Sequence, residues 1–262
     1  MRDPMEPVMD KKHQKLLLVV VAKAPVPGEV KTRLCPEFTT QEATNLYRCF
    51  IQDRIKEIGN LTGMDLAISY TPEDSKAYFA RFLSNGFHLF AQRGKDLGER
   101  LSNIFVDKLA GGYDAVSIID SDTPDLPRSI VQQSFQLLIA DRADAVFGPC
   151  YDGGYYLVGM RQPHPELFQK IPWSTENVLP QTLEKAHSLG LQTKLLPQWN
   201  DLDTFQDLLE YYQKYQKKPF EVDWAGMQTF KFLSNLKRIT QNILVTRSKC
   251  SVPDKHCRHR PE

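Results

Sequence analysis

The chain lacks any apolar run able to cross a bilayer. Its longest, residues 16–22, falls far short of the ~20 residues a spanning helix needs. Nor is that run the core of a secretory signal, because Lys23 and a proline-rich turn follow it without a small-residue cleavage pattern. No membrane span and a cytoplasmic location are therefore expected. Charge of one sign is missing too: a net charge of +1 argues against nucleic acid or another polyanion as partner. The five cysteines are odd in number, scattered and without a CxxC pair, which excludes a disulfide framework and a zinc knuckle. The one crowded group, Cys250, His256, Cys257 and His259, lies in a basic stretch with no helix or strand pattern and reads as tail rather than metal site. Absent as well are the GxxxxGKS/T phosphate loop, the GxGxxG dinucleotide turn, and the GxSxG and HExxH hydrolase motifs.

What the chain has instead is alternation. Residues 16–22 read as a strand buried on both faces, and Thr40 is expected to cap a helix running to residue 58. Strands follow at 65–70 and 87–91, with a helix over 72–83 between them. Asp96 is expected to cap a helix at 97–110, ahead of a strand at 114–119 and a helix from Pro127 to about 140. Strands at 143–148 and 155–160, a helix at 174–189, a strand at 191–196 and a helix from Asp203 or Thr204 to 215 complete the series. Such a series predicts an α/β fold, a three-layer α/β/α sandwich around a mostly parallel sheet. The chain divides into a loose extension at 1–14, one nucleotide-binding domain at 15–218, and a C-terminal helix (224–239) with a basic disordered tail at 219–262.

The chemistry concentrates at the ends of the strands. Asp120-Ser121-Asp122-Thr123-Pro124 closes the apolar run 115–119, delivering two carboxylates to the carboxyl end of a strand, where open α/β sheets bind ligands. Such a pair calls for a cation, and Mg2+ or Mn2+ needs only two or three carboxylates beside substrate phosphates and water. The competing explanation is a helix cap by Ser121 or Asp122 with Asp125 solvated, which accounts for one residue but not the pair. Asp201-Leu202-Asp203-Thr204 repeats the theme after the last strand, so that Asp203 could meet Asp122 across a metal, or simply cap a helix. Upstream, Ala24-Pro25-Val26-Pro27-Gly28 forms a stiff turn from which Lys31 and Arg33 offer a point charge and a fork for phosphate oxygens.

Two further segments suit the remainder of a nucleotide ligand. Around Asp152-Gly153-Gly154-Tyr155-Tyr156, glycines allow close approach and tyrosines offer a wall for a sugar or base, unless the glycines merely serve a hairpin turn. Asp152 is the candidate general base there; Cys150, with no histidine nearby in sequence, reads as packing. Gln92, with backbone amides near Gly98, could read a base edge, and a solvated helix start explains that segment almost as well.

In their order, Ala22-Lys23-Ala24-Pro25 through Gly28, Lys31-Thr32-Arg33-Leu34, Asp96-Leu97-Gly98-Glu99-Arg100, Asp120-Ser121-Asp122-Thr123-Pro124, Asp152-Gly153-Gly154-Tyr155, Trp173-Ser174-Thr175 and Asp201-Leu202-Asp203-Thr204 resemble one family. It is that of the radical-SAM/selenodomain-associated transferases, in the GT-A or nucleotide-diphospho-sugar transferase superfamily, and the resemblance covers roughly residues 16–215. It implies a Rossmann-like GT-A fold, with Ala22, Lys23, Gly28, Lys31, Arg33, Gln92, Gly98 and Asp120 around a nucleotide. Asp122 and Asp203 would hold the metal. Gly153, Gly154, Tyr155 and Trp173 would face the acceptor, and Asp152 and Lys31 would serve catalysis. The implied partners are a nucleotide sugar or NTP and a small-molecule acceptor. The family is also similar to guanylyltransferases acting on phospholactate and enzymes that attach GMP to molybdopterin. The prolines of 24–27 replace the flexible residues of those nucleotidyltransferases, so glycosyl transfer, nucleotidyl transfer with pyrophosphate release, and a non-catalytic nucleotide-binding module all stand as readings.

Overall fold

The computed structural model describes residues 14–35, 37–81, 83, 86–219 and 223–241. The extension at 1–13 and the basic tail with its Cys250–His259 group lie outside the described residues. Strand β1 (Leu16–Lys23) is made of branched and aliphatic residues that pack on both sides, Leu18, Val20 and Ala22 into one core and Leu17 and Val19 into the other. Helix α1 (Thr40–Ile58) follows, then β2 (Asp65–Thr71), the short α2 (Lys76–Ala80), β3 (Phe87–Ala91), α3 (Leu97–Ala110), β4 (Ala115–Ile119) and α4 (Arg128–Ile139). Next come β5 (Ala145–Pro149), β6 (Tyr155–Met160), α5 (Val178–Ser188), β7 (Thr193–Leu195), α6 (Phe205–Tyr215) and α7 (Met227–Ser234).

The seven strands form one sheet in the order β3-β2-β1-β4-β6-β5-β7. All run parallel except β6, which lies antiparallel between β4 and β5. Helices cover both faces. Phe50 and Ile51 of α1, Val131 of α4, Leu208 of α6 and Phe230 of α7 join one core, and Leu101 and Phe105 of α3 with Ala186 of α5 join the other. The expected three-layer α/β/α sandwich is the observed fold. Successive strands leave β1 in opposite directions, β2 on one side and β4 on the other, so the carboxyl ends of β1 and β4 mark the switch point where doubly wound sheets open a crevice.

Several expected boundaries move. The cap of α1 is Thr39 rather than Thr40, because Thr39 is extended and exchanges hydrogen bonds with Glu42 in a reciprocal capping box. The helix expected over 72–83 shrinks to a 3-10 turn (Glu73–Ser75) and the five residues of α2, anchored by the buried Phe79. Helix α5 begins at Val178, not 174, since Ser174 has a positive φ of 64° that no helix accepts. The Gly153-Gly154 segment is the turn of a true β5–β6 hairpin, closed by Cys150 N–H donating to the Gly154 carbonyl at 3.0 Å. Past residue 218, α7 packs on α1, and Asp53 of α1 satisfies its first turn by accepting from the amides of Gln228 and Thr229, both at 2.8 Å.

Candidate active site

Three loops meet at the switch point. β4 ends where Asp120 leaves the sheet, its Oδ1 accepting from the Thr123 hydroxyl at 2.7 Å and the Asp122 amide at 3.2 Å. These bonds fold the motif into a compact turn that points Asp122 outward. The path of β7 is continued by Trp199 N–H donating to the Pro149 carbonyl at 3.0 Å, which brings residues 200–203 to the same edge. There Leu202 N–H donates to the Asp122 carbonyl at 3.0 Å, joining the two acidic loops directly. The third loop is the proline-rich turn after β1, in which Gly28 has a φ of 81° that favours glycine.

At their meeting point is an ion cluster. The Lys31 ammonium lies 2.6 Å from Asp122 Oδ1 and 2.6 Å from Asp203 Oδ1, and donates to the Leu202 carbonyl at 3.0 Å. Its side chain is only 4% exposed and lies over the Phe50 ring, 5.2 Å from the centroid. Burial opposes the charge on Lys31, but Asp122 and then Asp203 outweigh it and raise the pKa. Asp203 is likewise penalised by burial, yet Lys31 and Arg33 hold it below the usual carboxylate range. Arg33, more exposed, reaches Asp203 Oδ2 at 3.4 Å. Thus Asp122 and Asp203 do share a cation, and that cation is Lys31. Arg33, Lys31, Lys23, Asp122, Asp203 and Tyr47 line a cavity of about 300 Å³.

A second cavity, of about 250 Å³, shares Asp122 and Ser174 with the first and runs between Leu97, Tyr155, Trp173 and the acidic edge. Tyr155 and Trp173 meet edge to face with centroids 6.3 Å apart. Here Asp152, Asp201 and Cys150 bring two carboxylates and a thiol within 4.8 Å of one another. Burial first, then Asp152 and Asp203, push Asp201 up to about 7. Burial and Asp122 push Asp120 up to about 7 as well. The Cys150 thiol is raised by burial and the surrounding carboxylates, consistent with packing rather than nucleophilic use.

The remaining sequence-predicted residues fall as follows. Ala22 is buried under the edge, and Lys23 pairs with Glu29 at 3.2 Å at the mouth of the first cavity. The Gln92 side-chain amide donates to the Ser69 carbonyl at 2.8 Å, so that donor ties strands together. Gly98 is buried where a Cβ would stand 2.5 Å from the Phe168 carbonyl and 3.0 Å from Trp173 Nε1, which packs α3 against the wall of the second cavity. Gly153 has a φ of 89° with Glu176 backbone at 2.2 Å from a would-be Cβ, and Gly154 N–H donates to Asp152 Oδ1 at 2.8 Å. The site thus gathers Lys31, Arg33, Asp120, Asp122, Asp152 and Asp203, with Gln92 and Gly98 farther along the edge in structural contacts.

Sequence reasoning missed three contributors. Asp201, quoted only as part of a motif, joins Asp152. Asp125, solvated only in the competing helix-cap explanation, is buried, because Trp199 Nε1 (2.9 Å), Lys214 Nζ (3.0 Å) and the Tyr215 hydroxyl (2.6 Å) all donate to it. Arg54, fully buried on α1, donates to the Leu126 carbonyl and to Thr123 Oγ1, both at 2.9 Å, and so props the Asp120–Asp125 loop from beneath. An arginine on the apolar face of α1 was the available signal, since a buried guanidinium must find partners.

Residues 54–175 match a family described as an uncharacterized protein conserved in bacteria, DUF2064. A solved structure from Desulfovibrio desulfuricans G20, provisionally named a nucleotide-diphospho-sugar transferase, is 34% identical, with a TM-score of 0.78 over 87% of this chain and 97% of its own. A CMP:2-keto-3-deoxy-manno-octonic acid synthetase complexed with CTP shares the fold at 13% identity and a TM-score of 0.50, over 79% of this chain and 100% of its own. Among curated proteins, none matches.

Proposed function

The chain belongs to the DUF2064 family, and from that premise we propose that it is a metal-dependent glycosyltransferase taking a nucleotide-diphospho-sugar donor and a small-molecule acceptor. The observation that carries this reading is the meeting of Asp122 and Asp203 around one positive charge, 2.6 Å from each, beside the basic turn. The donor set there is all oxygen, two carboxylates and the Leu202 carbonyl, with Lys31 standing in for the ion; such a set fits Mg2+ or Mn2+. Asp122 and Asp203 would hold that ion, whose charge would offset the negative charge developing on a departing nucleoside diphosphate. The order of the sequence motifs supports placing the chain, within the family, beside the radical-SAM/selenodomain-associated transferases.

The other tasks fall to the chain itself. Arg33 and Lys23 would grip the diphosphate in the first cavity, with Lys31 joining them once its carboxylates have another cation. The nucleoside would run along Ala22, Gln92, Gly98 and Asp120. The sugar and acceptor would fill the second cavity, against Tyr155 and Trp173 and beside Gly154. Asp152, at the exposed rim, would take the acceptor hydroxyl's proton. Asp201 stands beside it, its carboxyl pushed up to about 7 by burial and by Asp152 and Asp203.

Incubation with Mg2+ and a panel of nucleotide sugars and NTPs, with and without candidate acceptors, tests the reaction class. Acceptor-dependent release of a nucleoside diphosphate from a nucleotide sugar is the expected result. Pyrophosphate release from an NTP would overturn it in favour of nucleotidyl transfer.

A further inference from the structure

Resting on the reading of Asp122 and Asp203 as the metal-holding pair, we propose that Lys31 and a divalent cation are alternative occupants of that pair, the lysine holding it until a ligand's anionic group draws the ammonium away. An ammonium has three hydrogens to donate, and here Asp122, Asp203 and the Leu202 carbonyl take all three. Lys31 therefore has no donor left for a phosphate while it sits in the cluster. A metal bound by both carboxylates would need oxygens at about 2.0–2.1 Å, and the point that satisfies both is the one the ammonium fills. Two positive centres cannot share it.

Geometry also supplies the exit. Lys31 lies in the left-handed region (φ 50°, ψ 38°) at the head of the 3-10 turn Thr32–Leu34. Its side chain lines the same cavity as Arg33 and Lys23, so rotation away from the carboxylates brings the ammonium to where a diphosphate would lie. The charge count favours a strict exchange. Asp120, Asp152 and Asp201 crowd the same edge, lining one cavity with Asp122, where their negative charges repel one another. A pair stripped of its cation would add to that repulsion, so lysine leaves only as another cation arrives. Bare metal, with no anion to receive the lysine, must work against the seated ammonium and binds more weakly than the site otherwise allows.

The test uses the full chain and Mn2+ alone, followed by electron paramagnetic resonance of the free ion. Lys31→Gln keeps a hydrogen-bond donor among the carboxylates while removing the charge, and it should bind Mn2+ at least tenfold more tightly than the wild type. Adding Asp203→Asn to it should abolish the gain. Equal or weaker Mn2+ binding by Lys31→Gln, or none, overturns the proposal. Lys31→Met serves as a second variant read by thermal melting. It should be destabilised without metal and should recover by more than 5 °C with Mn2+, whereas a wild-type shift of the same size would contradict the exchange. No nucleotide or sugar enters either measurement, so a protein inert in the transfer assay and a protein lacking lysine–metal exchange give separate, distinguishable failures.

Discussion

Asp201 carries a pH signature that geometry alone imposes. Burial, Asp152 and Asp203 move its pKa from an ordinary 3.8 to about 7. Between those values the folded protein holds a proton that the unfolded chain has lost. Stability from this group is therefore full below the lower value and declines as pH rises through the upper one. Asp120 acts in the same direction. Thermal melts of the metal-free protein should show the melting temperature falling from pH 5 to pH 7.5, and Asp201→Asn should make that fall shallower; an unchanged slope would place Asp201 outside the cluster. Arg33, exposed at the cavity mouth and only 3.4 Å from Asp203, is expected to serve a ligand rather than the fold. Arg33→Ala should weaken nucleoside diphosphate binding by about tenfold, the loss of one charge-assisted contact of roughly 1.4 kcal/mol, and leave nucleoside binding unchanged. Equal losses in calorimetry would contradict this. At this scale the residue types were legible: an acidic pair closing an apolar strand, a second acidic pair before a helix, a lysine and arginine after a proline turn. Which carboxylate faces which cation was not, because that depends on loops distant in sequence meeting edge to edge, as the Leu202–Asp122 backbone bond does.

At the scale of elements, caps and turns hold the acidic loops in place. Thr204 caps α6 through a reciprocal capping box with Asp207, whose Oδ2 also accepts from the Asp203 amide at 3.0 Å. Thr204→Ala should cost about 1 kcal/mol in urea unfolding and should also weaken metal binding through a looser Asp203; a stability loss with metal affinity unchanged would show the cap to be independent of the site. Gly153 combines a left-handed backbone with the Glu176 main chain 2.2 Å from any Cβ. Gly153→Ala should therefore displace the hairpin turn carrying Asp152, lowering transfer activity more than tenfold with only a modest change in melting temperature. Wild-type activity in that variant would remove Asp152 from the mechanism. Cap chemistry made these elements readable: Asp96 before α3 and the apolar face of α1 appear as expected. The length of α2 and the start of α5 did not follow from periodicity, since a positive φ at Ser174 and a 3-10 turn after Pro72 are local choices that tertiary packing decides.

For the whole molecule, the alternation of strands and helices was enough to predict a three-layer sandwich with a mostly parallel sheet. The position of β6 was not, because a strand buried on both faces reads the same in either direction. Its reversal has a consequence for function. It places the Asp152 turn, which precedes β6, on the same edge as the carboxyl ends of β1 and β4, and so adds a fourth loop to the crevice at the switch point. Charged groups from Lys23 to Asp203 thereby meet in two cavities joined at Asp122. The most direct measurement is a calorimetric titration of a nucleoside diphosphate into the wild type and into Asp122→Asn, each with and without Mn2+. Metal should strengthen binding to the wild type at least tenfold and leave a folded Asp122→Asn unaffected, whereas the same metal-dependent gain in both proteins would contradict the assignment of the acidic pair as a cation site.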